Sequence, residues 1–66
     1  MSVIESLALA QQHLGQGSMV SSAALCLSDA INLFNRGDFE NAKSRAAKSL
    51  LYSVGAFHPD YKQAAA

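Results

Sequence analysis

Residue types that carry out covalent chemistry are scarce in this 66-residue chain. It contains one cysteine, Cys26, and two histidines, His13 and His58. A catalytic cysteine needs a neighbouring base and an electropositive setting, and no readable spacing places either histidine beside Cys26. Because Cys26 falls within a run of apolar residues, we expect it to be a buried and unreactive small hydrophobe.

Residues able to bind a metal ion are equally few. His58 and Asp60 form a short polar cluster with Tyr61, but two ligands are fewer than the three or four that a zinc site uses. His13 falls near the end of a predicted helix, where the helix dipole favours a cation. No glycine-rich segment follows a strand as a phosphate-binding loop would. The sequence therefore predicts no catalytic residue, no metal and no cofactor, and a protein that is not an enzyme.

The charge balance gives little support to a nucleic-acid partner. The chain has five basic and five acidic residues and a net charge of zero. Arg45 and Lys48 share a predicted helix face with Tyr52, and a solvated face explains them without a ligand. The alternative function is a small dimeric nucleic-acid-binding or regulatory protein that uses Arg36, Arg45 and Lys48. Its binding would weaken with added salt.

The predicted helices that carry these side chains are organised around a turn at residues 35–38. Gly37 is typical of the position just past a helix, because glycine adopts a left-handed backbone without a Cβ clash. Asp38 is a favoured N-cap, and Glu40 falls in the first turn, where the helix dipole favours negative charge. One helix therefore ends near residue 36, and an antiparallel neighbour begins near residue 38.

Both helices of this hairpin show an apolar face at about 100° per residue. The apolar arc of the first is wide enough for two neighbours, and its members are Met19, Val20, Ala23, Ala24, Cys26, Leu27, Ala30, Ile31, Leu33 and Phe34. The predicted inner face of the second is Phe39, Ala42, Ala46, Leu50, Val54 and Phe57. Small side chains let two helix backbones approach closely, and a stripe of them contains Ala42, Ala46, Ser49 and Ser53.

A further helix precedes the hairpin. Ser2 and Glu5 have the spacing of a capping box. The apolar stripe that follows is Val3, Leu7, Ala10 and Leu14, widened by Ile4 and Ala8. The glycines at residues 15 and 17 make the next joint flexible, so this helix can pack on its own hairpin or on a neighbouring chain. Ser18 is the expected N-cap of the helix that follows.

Together these patterns predict an all-α fold in one domain, residues 1–66. We expect three helices, at about residues 2–14, 18–36 and 38–57, built on the antiparallel hairpin. The tail, residues 58–66, contains Pro59, which is suited to open a short final turn. We assign no role to the terminal alanines.

The hairpin resembles one unit of the tetratricopeptide type. Residues 37–42 read Gly-Asp-Phe-Glu-Asn-Ala, with Ala30 before them and Ala46 after them. The resemblance implies that Ala30 and Ala42 lie at the helix crossing and that Phe39 wedges under the turn. The chain departs from the family in having a single copy, in lacking the early aromatic, and in placing its proline late, at Pro59. MIT-like and HEPN-like three-helix domains carry a similar turn, but the Arg-x(4–6)-His motif of HEPN-type RNases is absent.

The size and hydrophobicity of the chain predict an interaction partner. A domain this short is marginally stable alone, and half of its residues are hydrophobic. We therefore expect a non-enzymatic protein-interaction module, an adaptor, chaperone-like or inhibitor protein, that binds another protein or forms a homodimer. The predicted contact residues are apolar or aromatic: Val20, Leu25, Leu27, Ile31, Phe34, Leu51 and Tyr52.

The expected compartment is the cytoplasm. A lone cysteine suits a reducing environment, and the N-terminus lacks the basic region of a signal peptide. No apolar run approaches the roughly 18 residues of a membrane span, so a membrane is not an expected partner.

Overall fold

Four helices, with no strand, make up the fold in the computed structural model, which describes residues 1–66. They are α1 (Val3–His13), α2 (Val20–Asn35), α3 (Phe39–Val54) and α4 (Pro59–Ala65). The expectation of an all-α protein is confirmed, whereas the expected count of three helices is wrong. None of the four helices combines the length and the hydrophobicity needed to cross a bilayer.

Local capping signals set the beginnings of α1 and α3 as the sequence predicts. Ser2 and Glu5 form a complete capping box at the start of α1. Gly37 has φ of +83°, and the Asp38 side chain accepts from the backbone N–H of Asn41 at the start of α3. The beginning of α2 differs, because Met19 is its N-cap and no side chain caps it. Ser18 therefore does not have the capping role expected of it.

The capping box lowers the pKa of the Glu5 carboxyl group. The Ser2 backbone N–H, and then the Ser2 side chain, stabilise the Glu5 carboxylate and hold its pKa below the ordinary value of 4.5. This stabilisation is present at neutral pH and is lost as the pH falls below 4.5, because protonation removes the acceptor charge. We expect Ser2→Ala to raise the pKa of Glu5 partway, since the backbone N–H remains. An NMR titration of the Glu5 carboxyl measures this, and an unchanged pKa would show that the hydroxyl contributes nothing.

The third helix is the centre of the fold. It packs against α2 most extensively, then against α1 and α4, whereas α1 and α2 touch little. The buried residues are mostly alanine and serine, and the predicted small-residue stripe of α3 is entirely buried. Ser49 donates from Oγ to the backbone oxygen of Ala23 at 2.8 Å, which ties α3 closely to α2. Cys26 is buried, as expected.

The buried face of α1 differs from the predicted stripe. Ser6, Ala10 and His13 are buried, whereas Ile4 and Leu14, both assigned to the stripe, are exposed. Because α3 presents alanine and serine at close range, the small side chains of Ser6 and Ala10 are fully buried, whereas the larger Leu7 and Leu9 are only partly buried against the core. In this structure α1 packs on α3 of its own chain.

The end of α3 and the tail also differ from the prediction. Helix α3 ends at Val54 because Gly55, with φ of +90°, follows it. Phe57, expected on the inner face, therefore lies outside the helix and is 89% exposed. The tail forms a seven-residue helix, and Ala64, to which no role was assigned, is 2% exposed in the core. Phe39, also expected inside, is half exposed and contacts Phe34, with ring centroids 5.1 Å apart.

Candidate functional site

One end of the helix bundle collects the two loops that join α1 to α2 and α3 to α4. A Cβ atom on Gly17 would lie 3.0 Å from the backbone oxygen of Ser53, so the first loop lies directly on the last turn of α3. The rings of His13 and His58 are 5.2 Å apart, so α1 ends beside the second loop. We call this region, residues 13–20 and 55–60, the loop end.

Half of the large apolar side chains that the fold leaves exposed lie at the loop end. We call these four the apolar patch: Leu14, Met19, Val20 and Phe57. Phe57 is the most exposed large hydrophobic residue in the chain. Exposed apolar patches on small proteins commonly mark interaction sites.

The loop end is almost free of formal charge. Residues 6–28 and 49–59 contain no aspartate, glutamate, lysine or arginine. Asp60, the one acidic side chain there, lies with its Oδ2 atom 2.7 Å from His13 Nε2. The centres of protein interfaces are depleted in charged side chains and enriched in aromatic residues and methionine, and the loop end has that composition.

A cluster of titratable side chains lies beside the patch. His13 is buried, its Nδ1 lies 3.2 Å from Gln16 Oε1, and its Nε2 approaches Asp60. His58 is the N-cap of α4, and its Nδ1 accepts from the backbone N–H of Asp60 at 3.0 Å. One possible donor atom from each of His13, His58 and Asp60 lies within 4.8 Å of the other two. We call these three residues the His–His–Asp cluster.

Sequence reasoning paired His58 with Asp60 but missed the third member. His13 and Asp60 are 47 positions apart, and no local pattern relates them. The spacing of Ser6, Ala10 and His13, four and then three residues, was the one available signal, because it places the histidine on a small-residue helix face.

The predicted partner residues are dispersed. Val20 belongs to the apolar patch, and Leu25 is 68% exposed in the middle of α2. Leu27 belongs to the core cluster, so it does not present a free surface. The remaining four are partly buried: Ile31, Phe34, Leu51 and Tyr52.

The three basic residues of the alternative function lie in two places. Arg36 and Arg45 line one shallow depression together with Asp29. Lys48 lines a different groove, between α3 and α4, which also contains Glu40. The structure therefore brings two of the three together and places an acidic residue in each location.

Comparison with protein-family models, with curated proteins and with solved structures finds no match to this chain. The similarity of residues 37–42 to the tetratricopeptide hairpin consequently stays a prediction.

Proposed function

We propose that this chain is a non-enzymatic protein-interaction module that pairs with a second copy of itself through the apolar patch. The observation that carries the proposal is the 89% exposure of Phe57 at an end of the bundle with little charge. Burying an exposed phenylalanine side chain gains roughly 1.5–3 kcal/mol. In the isolated chain the Phe57 ring stays in solvent, so this free energy is not gained.

Self-association is favoured over a charged partner by the composition of the loop end. Contact between two identical uncharged surfaces needs no complementary charge and forms a closed two-fold pair. The net charge of zero also means that two copies do not repel each other at long range.

The surface needed for a dimer is larger than Phe57 alone. A stable interface covers about 800 Å² on each partner, about a fifth of the 3872 Å² of accessible surface on this chain. The proposed interface therefore includes the patch residues of both loops, with Phe57, the most exposed of them, as its main anchor. A few buried aromatic side chains typically dominate the binding energy of such an interface.

Replacing Phe57 by serine tests the proposal. We expect the wild-type chain to form dimers in light scattering across a concentration series. Phe57→Ser is expected to raise the dimer dissociation constant at least tenfold, about 1.4 kcal/mol. Leu25→Ser is the matched control, because Leu25 is also an exposed apolar residue but lies in the middle of α2. Its dimerisation is expected to equal that of the wild type.

Two results would contradict this assignment. A wild-type chain that stays monomeric at every concentration would rule out self-association. A dimer that is weakened by Leu25→Ser but not by Phe57→Ser would move the interface to the exposed face of α2.

The nucleic-acid alternative has less support. Asp29 lines the same depression as Arg36 and Arg45, and Glu40 lines the same groove as Lys48, so neither location offers a purely cationic surface to phosphate groups. A steep loss of affinity for duplex DNA or RNA with added salt would favour that alternative.

A further inference from the structure

We propose that the His–His–Asp cluster binds a divalent first-row transition-metal ion, with Zn²⁺ as the reference ion. The three donors come from the end of α1, the N-cap of α4 and the first turn of α4. An ion held there would join the first helix of the chain to the last. This site is separate from the apolar patch, although both lie at the loop end.

The hydrogen bonds of His13 carry the first step of the argument. A neutral imidazole has a single N–H, and both ring nitrogens of His13 lie opposite oxygen atoms, Gln16 Oε1 at 3.2 Å and Asp60 Oδ2 at 2.7 Å. If Nδ1 donates to Gln16, then Nε2 directs its lone pair at the Asp60 carboxylate. In the other tautomer Nε2–H donates to the carboxylate; in both, His13 Nε2 and Asp60 Oδ2 are adjoining metal-ligating atoms, 2.7 Å apart.

The second ring, that of His58, favours a metal ion over a proton. A proton needs only the pair of His13 and Asp60, whereas the cluster has a donor atom of His58 within 4.8 Å of both. Two imidazoles and one carboxylate form a donor set typical of zinc sites that keep an open fourth position. Gln16, whose Oε1 lies 3.2 Å from Nδ1 of His13, is placed to act as the outer hydrogen-bond partner that orients a ligating histidine.

The distances require only side-chain movement. Two donors on one tetrahedral zinc ion lie about 3.3 Å apart, given zinc–ligand bonds of about 2.0–2.1 Å. The His13–Asp60 pair, at 2.7 Å, must open slightly, and His58 must move closer. The Asp60 side chain is 29% exposed, so both the movement and the entry of the ion are possible from solvent.

The His58 ring also caps the start of α4. Its Nδ1 accepts the hydrogen bond from the Asp60 backbone N–H, so coordination through Nδ1 would replace this bond, whereas coordination through Nε2 would keep it. His58→Asn is consequently the informative variant. Asparagine is also a favoured N-cap, so the variant keeps a helix start while removing the imidazole.

The experiment is a titration of tag-free protein with Zn²⁺, followed by calorimetry and by thermal unfolding in far-ultraviolet circular dichroism. We expect saturable zinc binding and a raised melting temperature for the wild type. His58→Asn and Asp60→Asn are each expected to weaken zinc binding at least tenfold. Asp29→Asn, which changes an exposed carboxylate on α2, is the matched control and is expected to bind like the wild type.

Two further titrations test whether the site is selective for zinc and whether it lies within one chain. Mg²⁺ is expected to have no effect, because it prefers six oxygen ligands, and equal stabilisation by Mg²⁺ would overturn the proposal. Phe57→Ser retains all three ligands and is expected to bind zinc as well as the wild type does. Loss of binding in that variant would place the site between two copies and overturn the single-chain assignment.

Zinc binding that is unchanged in His58→Asn would also overturn the proposal, as would the absence of any zinc effect on the wild type.

Discussion

Leu50→Ala is expected to lower the free energy of unfolding by about 2–5 kcal/mol, the usual cost of removing a fully buried leucine side chain. Leu50 is 0% exposed, and it is the largest of the fully buried side chains. Most other buried residues are alanine or serine, so few large side chains are available to move into the space.

This loss is large compared with the total free energy of unfolding of so short a chain. At about 0.05–0.15 kcal/mol per residue, a chain of 66 residues has a total stability of roughly 3–10 kcal/mol. The loss of about 2–5 kcal/mol is consequently a large fraction of the total, and at the lower end of this stability range the Leu50→Ala variant is expected to be partly unfolded. The same reasoning makes the stability dependent on protein concentration if the proposed dimer forms, because a partner that binds only the folded state stabilises it.

Urea denaturation followed by circular dichroism measures the effect, and Leu25→Ala is its control. Both changes replace leucine by alanine inside a helix, but Leu25 is 68% exposed on α2. The control is expected to change stability by no more than about 0.5 kcal/mol. Equal losses in the two variants would show that Leu50 is not the centre of the core.

Gly17→Ala has the second large expected effect. Gly17 has φ of +75°, which costs an L-residue roughly 1–2 kcal/mol, and its new Cβ would lie 3.0 Å from the backbone oxygen of Ser53. A backbone atom at the end of a helix does not move aside as a flexible side chain does. We expect a total loss of about 2–3 kcal/mol, from the conformational term and the close contact together.

Gly37→Ala separates the two contributions. Gly37 has a similar φ of +83°, but a Cβ there would meet nothing within 4 Å. Its expected cost is about 1–2 kcal/mol from the backbone conformation alone. The difference between the variants, again from urea denaturation, measures the contact between the α1–α2 loop and α3. If both variants lose the same stability, the contact between the α1–α2 loop and α3 contributes nothing to the stability.

The Gly17 contact also bears on both proposals. It holds the α1–α2 loop against the last turn of α3, and this loop carries Leu14 and Met19 of the apolar patch. His13 immediately precedes it. A shift of the loop would therefore disturb the apolar patch and the His–His–Asp cluster together.

The amino-acid sequence alone determined those features that arise within a few residues. The capping box of Ser2 and Glu5 and the turn at Gly37 and Asp38 are local arrangements, because their hydrogen bonds join residues three positions apart or depend on one backbone angle. Helical periodicity correctly indicated an all-α protein. It also identified the small-residue stripe of α3, which is buried throughout.

Tertiary structure decided which faces are buried where several were possible. In α1 the predicted stripe included Ile4 and Leu14, which are exposed, whereas Ser6 and His13, which the stripe did not include, are buried together with Ala10. The burial of Ala64 depends likewise on α4 packing against α3, which no pattern in the tail predicts.

Both proposed sites depend on the tertiary structure rather than on local sequence. Gly55 ends α3 before Phe57 and leaves that ring in solvent, whereas helical periodicity alone had placed it inside. His13 meets Asp60 across 47 positions of sequence. Their contact exists because α1 and α3 run in the same direction and α4 folds back beside the end of α1. Sequence periodicity shows which residues share a helix face, but the relative placement of the helices determines which side chains from distant segments meet.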